Sequence, residues 1–375
     1  MIDNYEILPK ALIDLKAFRN NIDIASGKFP TAKIILPVKA NAYGHGDILI
    51  SKEAQNIGID YLAVARVFEG LKLRENGIKL PIINLGVEIL DSNIKYAVLN
   101  NIELTINCIE EAKRIEQVLK DSNYKLSVHL KIDTGMTRLG SPYLESLELA
   151  RYINSSKFLV FKSAYTHFAK SEENNDFTLK QLDLFFNFAK NLQKENIEPE
   201  FYHTHNSAAV LSSFPVLENK KIAIRPGIMS YGYSPFPTTE DFGLIPVMNL
   251  VTKIVNKRTV PQNTGVSYNH RFVTQKQTFL GTIPAGYGDG IPRSLSNKFQ
   301  VKINGKNYYQ RGTITMDLIV IEIDENVSVG DDVFIFGNKN YSINTAKDLA
   351  HIANTISYEI TTCISQRVER VVMNG

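Results

Sequence analysis

A chain of 375 residues exceeds one ordinary core of about 100–150 residues, but it fits one barrel-sized unit of about 250 plus a smaller one. Its 44% hydrophobic and 22% charged residues describe an ordered globular protein. The net charge of +3 is scattered along the chain, with no Lys/Arg block or aromatic-basic stripe to track a phosphate backbone, so nucleic acid is not expected as a partner.

Cys108 and Cys363 stand far apart without CxxC or Cys/His spacing, which predicts neither a disulfide framework nor a metal site. The start has no basic end followed by an apolar core, and no window reaches about 18 apolar residues. A cytoplasmic, reducing location away from membranes is expected.

From Ala11 onward apolar runs alternate with amphipathic stretches. Strands are predicted near 32–38, 61–65, 81–86, 102–107, 126–133, 158–167, 200–205 and 222–226. Helix-like patterns lie between them, such as Phe68–Gly77, whose Gly77 suits a C-cap, and Thr178–Lys190. Eight strands alternating with helices predict an α/β fold, a (β/α)₈ TIM-type barrel over residues 1–236, with an open doubly wound sheet as the alternative. Residues 1–15 are expected to pair with the second domain. The segment Tyr231-Gly-Tyr-Ser-Pro-Phe-Pro237 reads as the linker out of the barrel. Residues 237–375 read as a mainly β domain, with strands at Val247–Val255, Thr278–Ile283, Gln300–Ile303, Thr313–Ile323 and Asp332–Phe336, a turn at Asn304-Gly305 and a helix near 345–355.

One stretch organises the chemistry. Pro37-Val-Lys-Ala-Asn-Ala-Tyr-Gly-His-Gly46 follows the apolar run Ile34–Leu36, placing Lys39 at the end of a buried strand before a glycine-rich turn. A lysine held there can be a neutral amine able to condense with a carbonyl, while Tyr43, Gly44 and Gly46 offer a hydroxyl and close backbone to an anion. The combination points to a Schiff base with a phosphate-bearing aldehyde cofactor.

Other polar residues fall at predicted strand ends, which converge on one face of such a barrel. Lys131-Ile-Asp-Thr-Gly-Met-Thr-Arg138 ends the fifth strand, His167 the sixth, His203, Asn206 and Ser207 the seventh, and Arg225-Pro-Gly-Ile228 the eighth. Each has a plainer reading: the histidines as hydrogen-bonded structural groups, Arg225 as a partner of a carboxylate, Ser207 as a helix N-cap, and Lys131 with Asp133 as a structural pair. Phosphate binding near Ser207, Gly227 and Ile228 suits the last two strands. Gly265–Asn269, Ala285–Arg293, Thr313–Asp317 and Asn354–Glu359 mark tight loops that taken alone predict nothing.

Together these motifs, from Val38-Lys39-Ala-Asn-Ala-Tyr-Gly-His-Gly46 to Thr355-Ile-Ser-Tyr-Glu359, resemble the alanine racemase family of pyridoxal-phosphate enzymes along almost the whole chain. The resemblance implies racemisation of L- and D-alanine, supplying D-alanine for peptidoglycan, by a homodimer with shared active sites. Lys39 is implied as cofactor-linked lysine and one base, and the partner subunit's Tyr268 as the opposite base. Arg225 is implied to face the pyridine nitrogen, with His167 and His203 extending a polar chain from Tyr268 through Arg225. Tyr43, Ser207, Tyr358, Gly227 and Ile228 are implied to hold the phosphate. Arg138 and Met316 are implied to bind the substrate carboxylate, Tyr287 to line the entrance with Arg293 farther out, and Asp317 to be a supporting residue. Lys131 matches a lysine that many members carry as a carbamate orienting the arginine.

The chain departs from the pattern at Asn269-His270-Arg271, where glycine and small residues are common, at Thr313 in place of arginine and at Thr315 in place of cysteine. These bear on substrate preference more than on reaction type. A serine, lysine or broad-range racemase is therefore the nearest alternative. A pyridoxal-phosphate homeostasis protein would need neither the second domain nor Tyr268, and a fold-related decarboxylase would put an acid where Arg225 stands.

Overall fold

The computed structural model describes residues 8–373 except 174 and 239. Eight parallel strands, Lys33–Pro37, Tyr61–Val64, Ile82–Asn84, Ile102–Ile106, Leu126–Asp133, Leu159–Tyr165, Phe201–His203 and Ile222–Ile224, pair in succession. The eighth returns to the first, with Ala223 opposite Lys33 and Ile224 opposite Ile34, so the sheet closes and the open-sheet alternative falls. Closure follows from the apolar helix stripes that cover the strands outside. Ile109–Leu119, for example, buries Ala112, Ile115 and Leu119 at helical spacing. Gly77, at φ 82°, continues past the end of the helix Val67–Glu75 in the left-handed conformation that favours glycine.

Inside the barrel every second residue of a strand points to the axis. Ile35, Tyr61, Ala63, Ile83, Phe201 and Ala223 fill part of that interior as a separate apolar cluster. His129, Ser163 and His203, all buried, lie in the same interior, so the barrel core joins an apolar part to a hydrogen-bonded polar column.

The second domain carries a mainly β sheet in which Lys10–Ile13 runs antiparallel to Met248–Lys253 and parallel to Glu369–Val372. Of the segment 1–15 expected to join this domain, residues 1–7 lie outside the described ones. Asn304-Gly305 does turn a hairpin, but its return strand Lys306–Arg311 was not anticipated, because charged and polar residues mask its alternation. The expected strand Thr313–Ile323 begins only at Ile319; residues 313–318 form a loop whose Thr315 hydroxyl donates to the Leu318 carbonyl.

The expected linker also begins differently. Tyr231 is fully buried in a 3-10 turn, Ile228–Tyr231, where its hydroxyl donates to the Pro37 carbonyl at 2.7 Å and its ring stacks on Tyr43. Local Pro and Gly content concealed a core anchor for the Lys39 segment. Tyr231→Phe leaves the buried Pro37 carbonyl without this donor, and is expected to lower stability by about 1–3 kcal/mol, read as a fall in the urea midpoint at unchanged slope.

Candidate active site

Lys39 follows the first strand, and the backbone behind it is unusual. Ala40, Asn41, Ala42 and Tyr43 all have positive φ, between 52° and 56°, so a whole turn is left-handed on non-glycine residues. Such a conformation costs roughly 1–2 kcal/mol per residue and persists only where the surroundings dictate it. Glu69 accepts from the Ala40 N–H at 2.7 Å and from the Ala65 N–H at 2.8 Å. Asn41 accepts from the Asp47 N–H, and Arg370 donates to the Gly44 carbonyl, both at 2.9 Å. Gly44 abuts the second domain so closely that a Cβ there would lie 1.9 Å from the Thr361 carbonyl oxygen. The glycine-rich turn expected at this point thus places much of its strain ahead of the glycines.

A cavity of about 470 Å³ opens over the strand ends. It gathers Lys39, Tyr43, Lys131, Arg138, His167, Ser207, Arg225, Gly227, Ile228 and Tyr358. His203 lies beneath Arg225 rather than on the wall. Tyr268, Tyr287, Arg293, Met316 and Asp317 are not among the lining residues. They belong to the second domain, where Tyr268 is 69% exposed and its backbone carbonyl accepts from the Thr313 hydroxyl at 2.9 Å. Arg367 donates to Asp317 at 2.9 Å and lies 3.3 Å from the Asp289 carboxylate. Met316, 52% exposed, packs against Tyr287 through backbone bonds in which the Tyr287 and Gly288 N–H groups donate to the Thr315 and Met316 carbonyls.

The cavity is strongly cationic. Burial first, then Arg138 and Arg225, lower the Lys39 pKa from its ordinary value. Lys131 falls to about 8 for the same reasons, and burial with Arg225 and the nearby lysines holds His167 well below the histidine range. Arg225 is lowered by burial only to about 10 and stays charged near neutrality. Its Nη2 donates to the Thr166 and Thr204 carbonyls at 2.7 and 3.0 Å, and its Nη1 donates to His203 Nδ1 at 2.6 Å. The expected carboxylate partner is not found: among the described residues no acid makes an ion pair with it. Tyr165 forms a shared platform, stacked on His203 at 4.4 Å, with the Arg225 guanidinium 5.4 Å and the Lys131 ammonium 5.8 Å from its ring centre.

Two plainer readings are corrected. Asp133 accepts from the Gly135 and Thr137 N–H groups, shaping the loop after the fifth strand, while Lys131 faces the cavity instead of forming a contact pair with it. The cap of helix Ser207–Leu211 is Asn206, whose Oδ1 accepts from Ala209 N–H; Ser207 is the first helical residue, and its hydroxyl accepts from Met229 N–H at 3.3 Å. That frees no cap role for Ser207 but points its oxygen at the 3-10 turn. A Cβ on Gly227 would lie 3.0 Å from the Tyr43 hydroxyl and 3.7 Å from Ser207 Oγ. Tyr43, Ser207, Gly227 and the start of the turn at Ile228 therefore converge on one small space, with the Tyr358 ring 5.9 Å from that of Tyr43.

Family models for the alanine racemase N-terminal and C-terminal domains match residues 13–235 and 247–372. The chain belongs to the alanine racemase family. It is an isomerase of the amino-acid racemase class, as its relatives are. It is 40% identical to an alanine racemase of Treponema denticola, over 97% of this chain and 98% of that protein. An alanine racemase of Methanococcus maripaludis is 35% identical over 97% and 98%. Among solved structures, an alanine racemase of Clostridium difficile 630 superposes with TM-score 0.91 at 34% identity, covering 99% of this chain and 97% of that one. One from Bacillus anthracis with bound L-Ala-P gives 0.88 at 31%, covering 99% and 96%.

In this racemase fold several groups at the site escaped the sequence reading. Tyr165, Glu69 and Glu172 look ordinary in the sequence. The available signal was inward alternation, which sets Tyr165 two residues after Ser163, and Lys131 two after His129. Lys131 also yields a pH prediction. Below about pH 8 the folded protein holds a desolvated ammonium that the unfolded chain hydrates freely; above it the folded amine is neutral while the unfolded one stays protonated up to about 10.5. Wild-type stability is expected to climb between those values in bicarbonate-free buffer, and Lys131→Met to be more stable at pH 7 with a flatter climb, measured by urea unfolding at each pH.

Proposed function

We propose that this chain interconverts L- and D-alanine with pyridoxal 5′-phosphate, as a cytoplasmic homodimer whose sites each combine Lys39 of one subunit with Tyr268 of the other, and that it supplies D-alanine for peptidoglycan. The observation that carries the reading is the convergence, in one cavity, of a buried lysine of lowered basicity, a guanidinium with hydrogens to spare and a hydroxyl-lined cradle.

The residues fit the cofactor. A Cβ on Gly227 would press on the Tyr43 hydroxyl at the cradle, and the N–H groups of Gly227 and Ile228 at the start of the 3-10 turn cannot be satisfied within the turn itself. Burial raises the phenol pKa values of Tyr43 and Tyr358 well above the ordinary, so both remain hydrogen-bond donors to a phosphate. When bound, pyridoxal phosphate supplies a carbonyl for the amino group and a sink for the electron pair left at the α-carbon.

The chain's own residues then divide the work. Lys39 Nζ, kept short of protons by its surroundings, takes or returns the α-proton on one face. The partner subunit's Tyr268 serves the opposite face, since a single fixed base would return the proton to the side it came from. Its loop is held rigidly outward: Ser267, Asn269 and His270 have positive φ, and Ser267 Oγ donates to the Thr313 carbonyl at 2.7 Å. Arg225 would hold the cofactor's pyridine nitrogen with a charged donor, which would restrain the electron sink and discourage side reactions. Arg138 takes the substrate carboxylate with the partner's Met316 N–H, Tyr287 and Arg293 guard the entrance, and Asp317 anchors the Met316 loop through Arg367. Lys131, neutral more readily than an ordinary lysine, is placed to be carbamylated beside Arg138.

The test is incubation of the loaded protein with single amino acids in D₂O, following optical rotation and α-deuterium together. Alanine is expected to invert as deuterium enters; deuterium without inversion rejects racemisation, and turnover of serine or lysine but not alanine selects a racemase of another amino acid, the alternative that the polar run Asn269-His270-Arg271 raises. Tyr268→Phe is expected to keep the cofactor's absorbance and lose roughly 10²–10⁴-fold in turnover, the usual worth of a general acid–base group.

Site sharing has its own measurement. Lys39→Ala and Tyr268→Phe proteins, each inactive alone, are mixed under subunit exchange. A shared site restores activity, because each hybrid dimer holds one site with both bases; no recovery despite hybrids detected by mass spectrometry rejects sharing.

A further inference from the structure

The polar column inside the barrel runs much farther than the cavity. From Arg225 Nη1 it passes to His203 Nδ1 at 2.6 Å, from His203 Nε2 to Ser163 Oγ at 2.9 Å, from Ser163 Oγ to His129 Nδ1 at 2.6 Å, and from His129 Nε2 to Glu103 Oε2 at 2.7 Å. Ser163 and His129 are inaccessible to solvent and His203 is 1% exposed, so no water competes for these bonds. Glu103 lies on the fourth strand, opposite the eighth in the order of the barrel, and its side chain is 15% exposed.

The direction of every bond follows from the ends. A guanidinium has no acceptor, so His203 Nδ1 must accept, and its hydrogen sits on Nε2. Burial and the charge of Arg225 hold His203 neutral, which agrees. Ser163 Oγ then accepts from His203, which leaves its own hydrogen for His129 Nδ1. His129 in turn donates Nε2–H to the carboxylate. A His129 protonated on both nitrogens would leave the Ser163 hydrogen without an acceptor in a dry interior.

We propose that Glu103 is a positioning residue for Arg225, acting through this one-way chain of donors from guanidinium to carboxylate. The carboxylate polarises each link in turn, making His203 Nδ1 a stronger acceptor. It thereby supplies, about a barrel's width away, the negative end that Arg225 lacks in direct contact. With Nη2 fixed on the Thr166 and Thr204 carbonyls and one Nη1 hydrogen fixed on His203, the guanidinium keeps one plane beside Tyr165. Its Nε–H and second Nη1–H remain for the cavity. The role at the ring nitrogen rests on the proposed function; the tautomers do not.

Two variants separate the contributions. Glu103→Gln keeps an acceptor for His129 and removes the charge; Glu103→Leu removes both. The seven histidines permit selective ¹⁵N labelling of the apoprotein. In wild type, His129 and His203 are expected to carry hydrogen on Nε2 alone. Glu103→Leu should shift the His203 resonances, while Glu103→Gln leaves its tautomer in place. In the protein loaded with pyridoxal phosphate, Glu103→Leu should shift the cofactor's absorption band and lower kcat roughly tenfold, the scale usual for a residue that orients another, with KM within about twofold; Glu103→Gln should lower kcat less.

A wild-type His203 protonated on Nδ1, a doubly protonated His129, or a Glu103→Leu protein with unaltered His203 resonances and kcat overturns the proposal. If Glu103→Leu does not fold, Glu103→Gln decides: a reduced kcat with retained tautomers supports the role, and an unchanged kcat rejects it. Wild-type protein that fails to racemise alanine defeats the proposed function instead, and the apoprotein resonances still decide the chain of donors.

Discussion

Burying a guanidinium without a carboxylate in contact is the constraint on which the barrel mouth depends. Little of Arg225 is within reach of water, so its Nη2 hydrogens and one on Nη1 must find oxygens and nitrogens fixed in advance. The Thr166 and Thr204 carbonyls follow directly from the sixth and seventh strands, and His203 ends the seventh. Any slip of one residue in those strands would turn all three partners away. Burial does most to lower Lys39, Lys131 and His167, and the charge so fixed adds to it, after Arg138 for the two lysines and directly after burial for His167.

The second domain is part of the same construction. Its residues Tyr358 and Thr362 line the cavity, Arg370 ties down the Gly44 carbonyl, and the Thr361 backbone presses on Gly44. The left-handed turn behind Lys39 is held from one side by Glu69 of the barrel and from the other by this domain. Strain of that kind is released if either side withdraws. Sequence position separates the domains more than the packing does.

That distinction explains what could be read from the sequence. The eight barrel strands were legible because each is a short apolar run between amphipathic helices, and the barrel needed only their number and alternation. Lys39, Arg225 and their companions stood out as polar residues at the ends of such runs. His129 and Ser163 did not, although they obey the same alternation, because a polar residue inside an apolar strand has no meaning until the strand across the barrel supplies its partner. Tyr231 was obscured by its Pro- and Gly-rich neighbours, and Lys306–Arg311 by charge facing solvent. What local pattern determines was visible; what depends on a contact across the barrel, such as Glu103 meeting His129, was not.

The cavity's charge also bears on what can occupy it. Lys39, Lys131, Arg138 and Arg225 line one space with a single acid, Glu172, among the described lining residues, while Glu69 on its flank is already committed to the Ala40, Ala65 and Arg66 amides. Like charges this close in a partly dry site repel more strongly than they would in water, and part of that repulsion shows in the lowered pKa values of Lys39 and Lys131. A neutral occupant would leave it unrelieved. An occupant with one anionic group at the Tyr43–Ser207–Gly227 cradle and a second beside Arg138 would relieve it at both ends, which is the charge pattern of a phosphorylated cofactor joined to an amino acid. Under the proposed function, selection of that pairing would begin with electrostatics, before any contact to the amino acid's side chain.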